Sequence, residues 1–579
     1  MRDAGIEAKQ DSATGMPAVR VSLGAYQSAV DAALAEAESS KVIQRIWDKD
    51  ASLWKTEESH KKIIENSLGW LKVPRKMLEV SHELVRFGEH VRGSDERHAM
   101  VCGMGGSSLC PEVLRQTFGI QKGFPQLLVL DSTDPDAINN FAKQIDITRS
   151  LFFIASKSGT TTEPIAFHRY WYNEVSKINE TPGQSFVAIT DPGTLMAETA
   201  AAEKFKRIFL NPPDIGGRYS ALSYFGMVPA AVMGLDVGEL LVSAIRISLM
   251  CGPKVGVTEN PAALLGATMA ECATAGRDKL TIITDAEISA LGLWVEQLIA
   301  ESTGKEGKGI VPVVGEPLGP TSAYGDDRLF VSITVGDADA ETKTRLKALE
   351  AAGHPVVYRS LIDLNELGAE FFLWEMATAF AGWRLKINPF DQPNVQESKD
   401  ATKALLEKFT KEGKLDEPSP IASDGTLSVY SKEQNASVSV AEALRRHLAK
   451  VKPHDYIALL AYVEETPEID EALQALRLSL RDATGCATTV GYGPRFLHST
   501  GQLHKGGPDT GVFIQITAAD LVDFDIPGAP YSFSVLKQAQ AQGDFQSLLA
   551  HGRRAIRVDL GKNVVQGLTR LRELLTGAN

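Results

Sequence analysis

Between His98 and Leu210 the chain alternates short apolar runs with amphipathic stretches of ten or more residues. HAMVCG, LLVLDS, LFFIAS, FVAIT and RIFLN read as strands, and helices open near Asp134 and Asp191 among other places. Apolar runs without polar alternation belong to strands covered on both faces, so the pattern predicts a parallel sheet flanked by helices. A second such rhythm starts near residue 256, with KLTIITD, GIVPVV, LFVSITV and HPVVYRS, and closes on long helices over about 366–386 and 393–411. EGKLDEPSPIASDG (412–425), rich in Pro, Ser and acid, is the clearest linker. After it DYIALLAYV, CATTVGYG and GVFIQIT predict a third α/β unit, with a helix opened by Thr466-Pro467 and a terminal helix over 563–575. Residues 22–95 are helical in pattern, and Trp47 and Trp54 bracket a turn. The expected fold class is α/β: tandem doubly wound parallel-sheet domains over 96–255 and 256–411, an N-terminal helical segment over 1–95, and an extra C-terminal α/β unit over 426–579.

Composition narrows the function. A chain of 579 residues exceeds one hydrophobic core. A formal charge of −13 argues against nucleic-acid binding through bulk charge, although a local cationic pocket is compatible with it. Five scattered cysteines without a CxxC pair read as reduced thiols in a cytoplasmic protein, not as a disulfide framework or zinc site. The polar start MRDAGIEAKQDSATG has no apolar signal core. The most apolar stretch, Tyr224–Ile245, is broken by Asp236 and Glu239 and reads as a buried helix pair, so no membrane partner is expected.

Five stretches carry chemistry. SKSGTTTE follows the run Leu151–Ala155 and precedes a helix; its Ser156, Ser158, Thr160 and Thr161 hydroxyls and backbone N–H groups suit a phosphate dianion. Gly103–Ser108 (GMGGSS) makes a second strand-to-helix turn, in which Ser107 can cap the helix and meet a ligand; alone it is a common turn. Adjacent parallel strands would bring both turns to one carboxyl edge, where such sheets bind ligands, and together they favour a phosphosugar. In GGRYS, two glycines precede Arg218, whose permanent charge could stabilise a developing oxyanion. Gln297 and Glu301 lie four apart on one helical face, and Gly304 ends that helix, which makes Glu301 a candidate general base at a pocket rim. In NPFDQPNVQESK, Asp391 or Gln392 opens a helix, and Gln392 and Lys399, seven apart, are expected on one face. FLHSTGQLH, between two strands, offers His498 and His504 as proton shuttles. No His spacing supports a metal.

In combination GMGGSS, SKSGTTTE, GGRYS, ESTGK and NPFDQPNVQESK resemble the glucose-6-phosphate isomerase family, of the sugar-isomerase (SIS) fold group, over about residues 98–400. RIWDKDASLW and EQLIAESTGKEGKGIVPV are similar to the isomerase half of bacterial transaldolase–isomerase fusions, and the chain is expected to correspond to that isomerase part alone, without a transaldolase barrel. The resemblance implies aldose–ketose isomerisation of glucose 6-phosphate and fructose 6-phosphate through a cis-enediolate, in a homodimer, with a hexose phosphate as partner and neither metal nor cofactor. Ser156, Lys157, Ser158 and Thr161 would hold the phosphate, with Gly106 and Ser107 lining the pocket. Glu301 would move the proton, Arg218 would stabilise the enediolate, Gln297 and Gln392 would position substrate, and Lys399 would assist ring opening. In most of the family the ring-opening histidine lies between the glutamate and the Gln…Lys helix, just after a Gly-Gln pair, and is lent by the neighbouring subunit. Here Gly315–Phe330 fills that interval without a histidine, which leaves His504 or His498 for the role. The alternatives are an isomerase that also takes mannose 6-phosphate, and a non-catalytic SIS-type sugar-phosphate sensor.

Overall fold

The computed structural model describes residues 19–432 and 438–576; the stretch MRDAGIEAKQDSATG lies outside them. A short strand, β1 (Arg20–Ser22), is followed by helices Gln27–Ser39, Val42–Trp47, Glu58–Glu65 and Val73–Arg92. The two bracketing tryptophans fasten this segment to later parts of the chain. Trp47 donates its indole N–H to the Cys251 carbonyl and Trp54 to that of Ala379, each at 2.9 Å.

β2 (His98–Cys102), β3 (Gln126–Leu130), β4 (Ser150–Ala155), β5 (Phe186–Thr190) and β6 (Arg207–Leu210) form an all-parallel sheet in the order β3-β2-β4-β5-β6. Every residue of β4 is buried, as its unbroken apolar run requires. Strand order reverses between β2 and β4, so the crevice at their carboxyl ends is the topological switch point. GMGGSS leaves β2 there and SKSGTTTE leaves β4. The helix expected from Asp191 starts instead at Leu195, because Thr194 caps it and Asp191 pairs with Lys157. Tyr224–Ile245 does contain two helices, Tyr224–Val232 and Val237–Met250, the second capped by Asp236.

The second sheet, β7 (Lys279–Thr284), β8 (Val311–Val314), β9 (Arg328–Val335) and β10 (Val356–Leu361), is parallel, with β1 antiparallel on its edge. The third contains β11 (Ala422–Ser423), β12 (Ser428–Tyr430), β13 (Tyr456–Tyr462), β14 (Ala487–Tyr492), β15 (Gly511–Thr517) and β16 (Arg554–Asp559) in the order β11-β12-β16-β15-β13-β14. Its last four strands in sequence are mutually parallel, and β11 and β12 run antiparallel at one edge. The apolar pattern does not announce β1, β11, β12 or β16. The first three are only two or three residues long, and β16 (RAIRVD) interleaves three charged residues. One apolar cluster runs without interruption from the N-terminal helices through the first two sheets, joining Trp70, Val101, Phe153, Leu298 and Phe372. Among the described residues no helix is long and apolar enough to cross a membrane. All five cysteines are buried free thiols.

Candidate active site

Two loops interlock at the switch point. Gly106 abuts Gly217 so closely that any β-carbon would collide with the Gly217 carbonyl, which explains glycine there. Ser220 reinforces the contact by donating to the carbonyls of Gly217 (2.6 Å) and Gly106 (3.3 Å). Ser107 does not cap the following helix: its hydroxyl accepts from the Met104 N–H and donates to the Met104 carbonyl, both at 3.0 Å. That closed turn fixes the pocket wall instead.

The interlock sets Arg218 in a buried position where every nitrogen of its guanidinium is engaged. Nε donates to Ser302 Oγ (2.7 Å), NH1 to Gln392 Oε1 (3.0 Å), and NH2 to the carbonyls of Pro389 (2.7 Å) and Asp391 (3.0 Å). NH1 also lies 3.3 Å from Glu301 Oε1, and both side chains are almost wholly buried. Gln297 and Glu301 share a helical face, as their spacing predicts: Gln297 Nε2 donates to Glu301 Oε2 at 3.1 Å. Gly304 ends that helix, Leu291–Thr303. The next residue, Lys305, is buried and donates to the Asp391 carbonyl (2.5 Å) and to Asp391 Oδ1 (2.7 Å). Burial pushes the Lys305 pKa down, to about 8, against the pull of Asp391. Gln392 stands just before helix Pro393–Glu412 in a non-helical conformation. Its side chain therefore does not share a helical face with Lys399, and the two serve different neighbours.

Lys399 belongs to a cavity of about 440 Å³, within the size range of small-molecule sites. Thr160, Thr161, Glu163, Lys399, His498 and Gln540 are among its lining residues. The turn over 156–161 opens on it. Ser156 donates to Thr161 Oγ1 (3.3 Å), Ser158 and Thr160 share a hydrogen bond (3.0 Å), and no side chain caps helix Thr162–Ser176. Lys157 leans away from this face, pairing with Asp191 Oδ2 at 2.6 Å.

The two histidines part company. His498 Nε2 lies 3.1 Å from Glu163 Oε1, and Gln540 donates to the same oxygen at 2.6 Å. Burial works to raise the Glu163 pKa, but the charge and hydrogen bond of His498, its own backbone N–H and the Lys399 charge more than offset that and hold it below the usual value. His504 lines no part of this cavity; it is boxed by the rings of Tyr456, Phe496 and Phe513. Burial, with the charges of Lys505 and Arg553, drives its pKa well below the ordinary value, and its Nδ1 has no partner. A neutral imidazole packed among aromatic rings has no route to a substrate proton.

One amide joins the two groups. Gln297 Nε2, besides holding Glu301, donates to the His498 carbonyl at 2.7 Å. The sequence did not single out Glu163, Gln540, Ser302 or Lys305. Glu163 and Lys305 lie inside quoted motifs, where they read as a helix opening and a helix exit. Gln540, in helix Phe533–Ala550, carries no local signal.

The phosphoglucose isomerase family pattern matches residues 70–310. Glucose-6-phosphate isomerase of Methanocaldococcus jannaschii is 28% identical over 336 residues, which cover 52% of this chain and 82% of that protein. The enzyme of Rubrobacter xylanophilus is 29% identical over 401 residues, covering 59% and 90%. Among solved structures, a hypothetical protein of Thermus thermophilus superposes with a TM-score of 0.58 at 23% identity, over 67% of this chain and 99% of that one. A glucose-6-phosphate isomerase of Chlamydia trachomatis gives 0.52 at 19%, over 66% and 86%; both likenesses concern the fold. The motifs described above from GMGGSS to ESTGK fall within the matched residues.

Proposed function

We propose that this chain interconverts glucose 6-phosphate and fructose 6-phosphate. The observation that carries the reading is the Gln297 bridge, which holds a buried carboxylate–guanidinium pair against a histidine at the wall of a cavity opened by a phosphate-type turn. The hydroxyls of Ser156, Ser158 and Thr161 and the uncapped N-terminus of helix Thr162–Ser176 anchor the phosphate, with Gly106 and Ser107 shaping the wall. Lys157 contributes its charge from the Asp191 side.

His498, with Glu163 behind its Nε2, gives a proton to the ring oxygen, and Lys399 supports the opening from across the cavity. Glu301 then takes the proton from C2 and returns it to C1. Negative charge developing on the oxygens of the enediolate meets Arg218, a cation already fixed by carbonyls and needing no reorganisation. Gln297 and Gln392 hold the hydroxyls. Binding energy comes from the phosphate end, and the chemistry occurs several atoms away. Five buried free thiols fit a reducing compartment and support a cytoplasmic location.

A coupled assay tests the reading. Fructose 6-phosphate is expected to yield glucose 6-phosphate. Comparable turnover of mannose 6-phosphate makes the enzyme dual-specific, binding without turnover makes it a sensor, and neither binding nor turnover overturns the assignment.

A further inference from the structure

The cavity is assembled from three separate stretches of one chain. Thr160–Glu163 comes from the first sheet's unit, Lys399 from the helix that follows the second, and His498 and Gln540 from the third. We infer that each chain is a complete catalyst, its C-terminal unit supplying the ring-opening histidine to its own active site, with no group borrowed from a second copy.

The loop that carries His498 is pinned on both sides. Three residues before it, Arg495 grips Asp131 with two nitrogens, Nε to Oδ2 at 2.8 Å and NH2 to Oδ1 at 2.9 Å. Asp131 follows β3, and its side chain is almost wholly buried. Four residues after it, Gln502 donates to the Gly304 carbonyl (2.9 Å) and accepts from the Asn394 N–H (2.8 Å). Gly304 packs so tightly on the Leu503 backbone that a β-carbon would not fit. His498 itself receives Gln297 at its carbonyl. A histidine held in this way has no slack with which to reach another molecule.

The apolar cores support the same conclusion. Ile526, Phe533 and Leu536 of the C-terminal unit share one cluster with Phe152, Phe167 and Trp171 of the first. Val311 and Val313 of β8 share another with Phe496, Leu503 and Phe513. Lending His498 to a neighbour would therefore mean swapping the whole unit. That would expose both clusters and leave Asp131, and Asp134 opposite Lys537 (2.8 Å), as buried charges without partners.

This inference rests on the roles proposed for Glu301 and His498, and one experiment separates the two. Glu301→Gln and His498→Ala chains with different tags are co-expressed, and doubly tagged material is assayed beside each parent. Activity no higher than the mean of the parents is expected. If sites are shared, each mixed dimer regains one working site of its two, and the doubly tagged material gives about half of the wild-type rate, which overturns the proposal. Failure to recover doubly tagged protein, with wild-type chains sedimenting singly and active, also supports it. A specific activity that falls on dilution in step with dissociation overturns it. If His498→Ala does not fold, His498→Asn takes its place. A Glu301→Gln parent that keeps its rate overturns the assignment of the base instead, and Arg218→Ala then replaces it in the mixing.

Discussion

Two carboxylates, Glu301 and Glu163, occupy equivalent-looking buried positions in one site, yet they are held by different chemistry. Glu301 faces a guanidinium that cannot lose its charge, and an amide donates to it. Glu163 faces an imidazole, which can exist in two protonation states, and an amide. The first arrangement sets a permanent positive charge beside the carboxylate. The second lets a proton come and go on the partner. An isomerase that opens a ring and then moves a hydrogen between carbons needs one of each, and the structure keeps them apart with Gln297 between.

The comparison can be broken most severely at Glu301. Replacing it by Gln keeps the bulk and the contact with Arg218 but removes the base, so kcat should fall by about 10³- to 10⁴-fold. Binding of the sugar phosphate should remain within a few-fold, and exchange of the C2 hydrogen with solvent, followed by NMR, should stop. Turnover near the wild-type rate would dismiss Glu301 as the base.

Glu163→Gln should cost less, roughly 10- to 100-fold in kcat, because it weakens His498 without removing it. The loss should be confined to substrates that form rings. A 4,5-dideoxyhexose 6-phosphate, which has no hydroxyl to close a ring, should exchange its C2 hydrogen in the variant as fast as in the wild type. An equal loss on both substrates would erase the distinction between the two carboxylates.

The smallest effect concerns Lys305, which steadies the Asp391 turn behind Arg218. With a folded pKa of about 8 against an ordinary value near 10.4, the unfolded chain holds the extra proton between those limits. This group's contribution to stability therefore rises with pH across that window, whereas loss of its charge frees Asp391 and should lower kcat/KM. A descending activity limb near pH 8 is expected without a matching fall in Tm attributable to Lys305. Persistence of the limb in Lys305→Met would trace it to another group.

These differences also explain what could be read from the sequence. The Glu301 side is built from contiguous motifs: a helix in which i and i+4 meet, a glycine that ends it, and a Gly-Gly turn that buries an arginine. Each rule acts over a few residues, so the shared face of Gln297 and Glu301 is legible locally, whereas the roles expected of Arg218 and Glu301 come with the family resemblance. The Glu163 side is built across distance. Glu163 and His498 are separated by 335 positions and Glu163 and Gln540 by 377, and no local spacing joins them. Between His498 and His504 the deciding fact is which side of a six-residue helix, Gly501–Gly506, the ring occupies: His504 lies inside it against three aromatic rings, and His498 before it. The sheets follow the same division. Buried parallel strands announced themselves by apolar runs, whereas β11 and β12 exist only because β16 offers them an edge.

The pinning of the C-terminal unit has a consequence in the order of synthesis. The chain leaves the ribosome from its N-terminus, and its first two units can begin to fold while the third is still untranslated. Until Phe533 and Leu536 arrive, the apolar face around Phe167 and Trp171 lacks its cover, and until Gln540 arrives Glu163 lacks its amide. A nascent chain thus lacks this cover until it is nearly complete, and a message truncated before residue 533 would supply neither the cover nor the amide that holds Glu163.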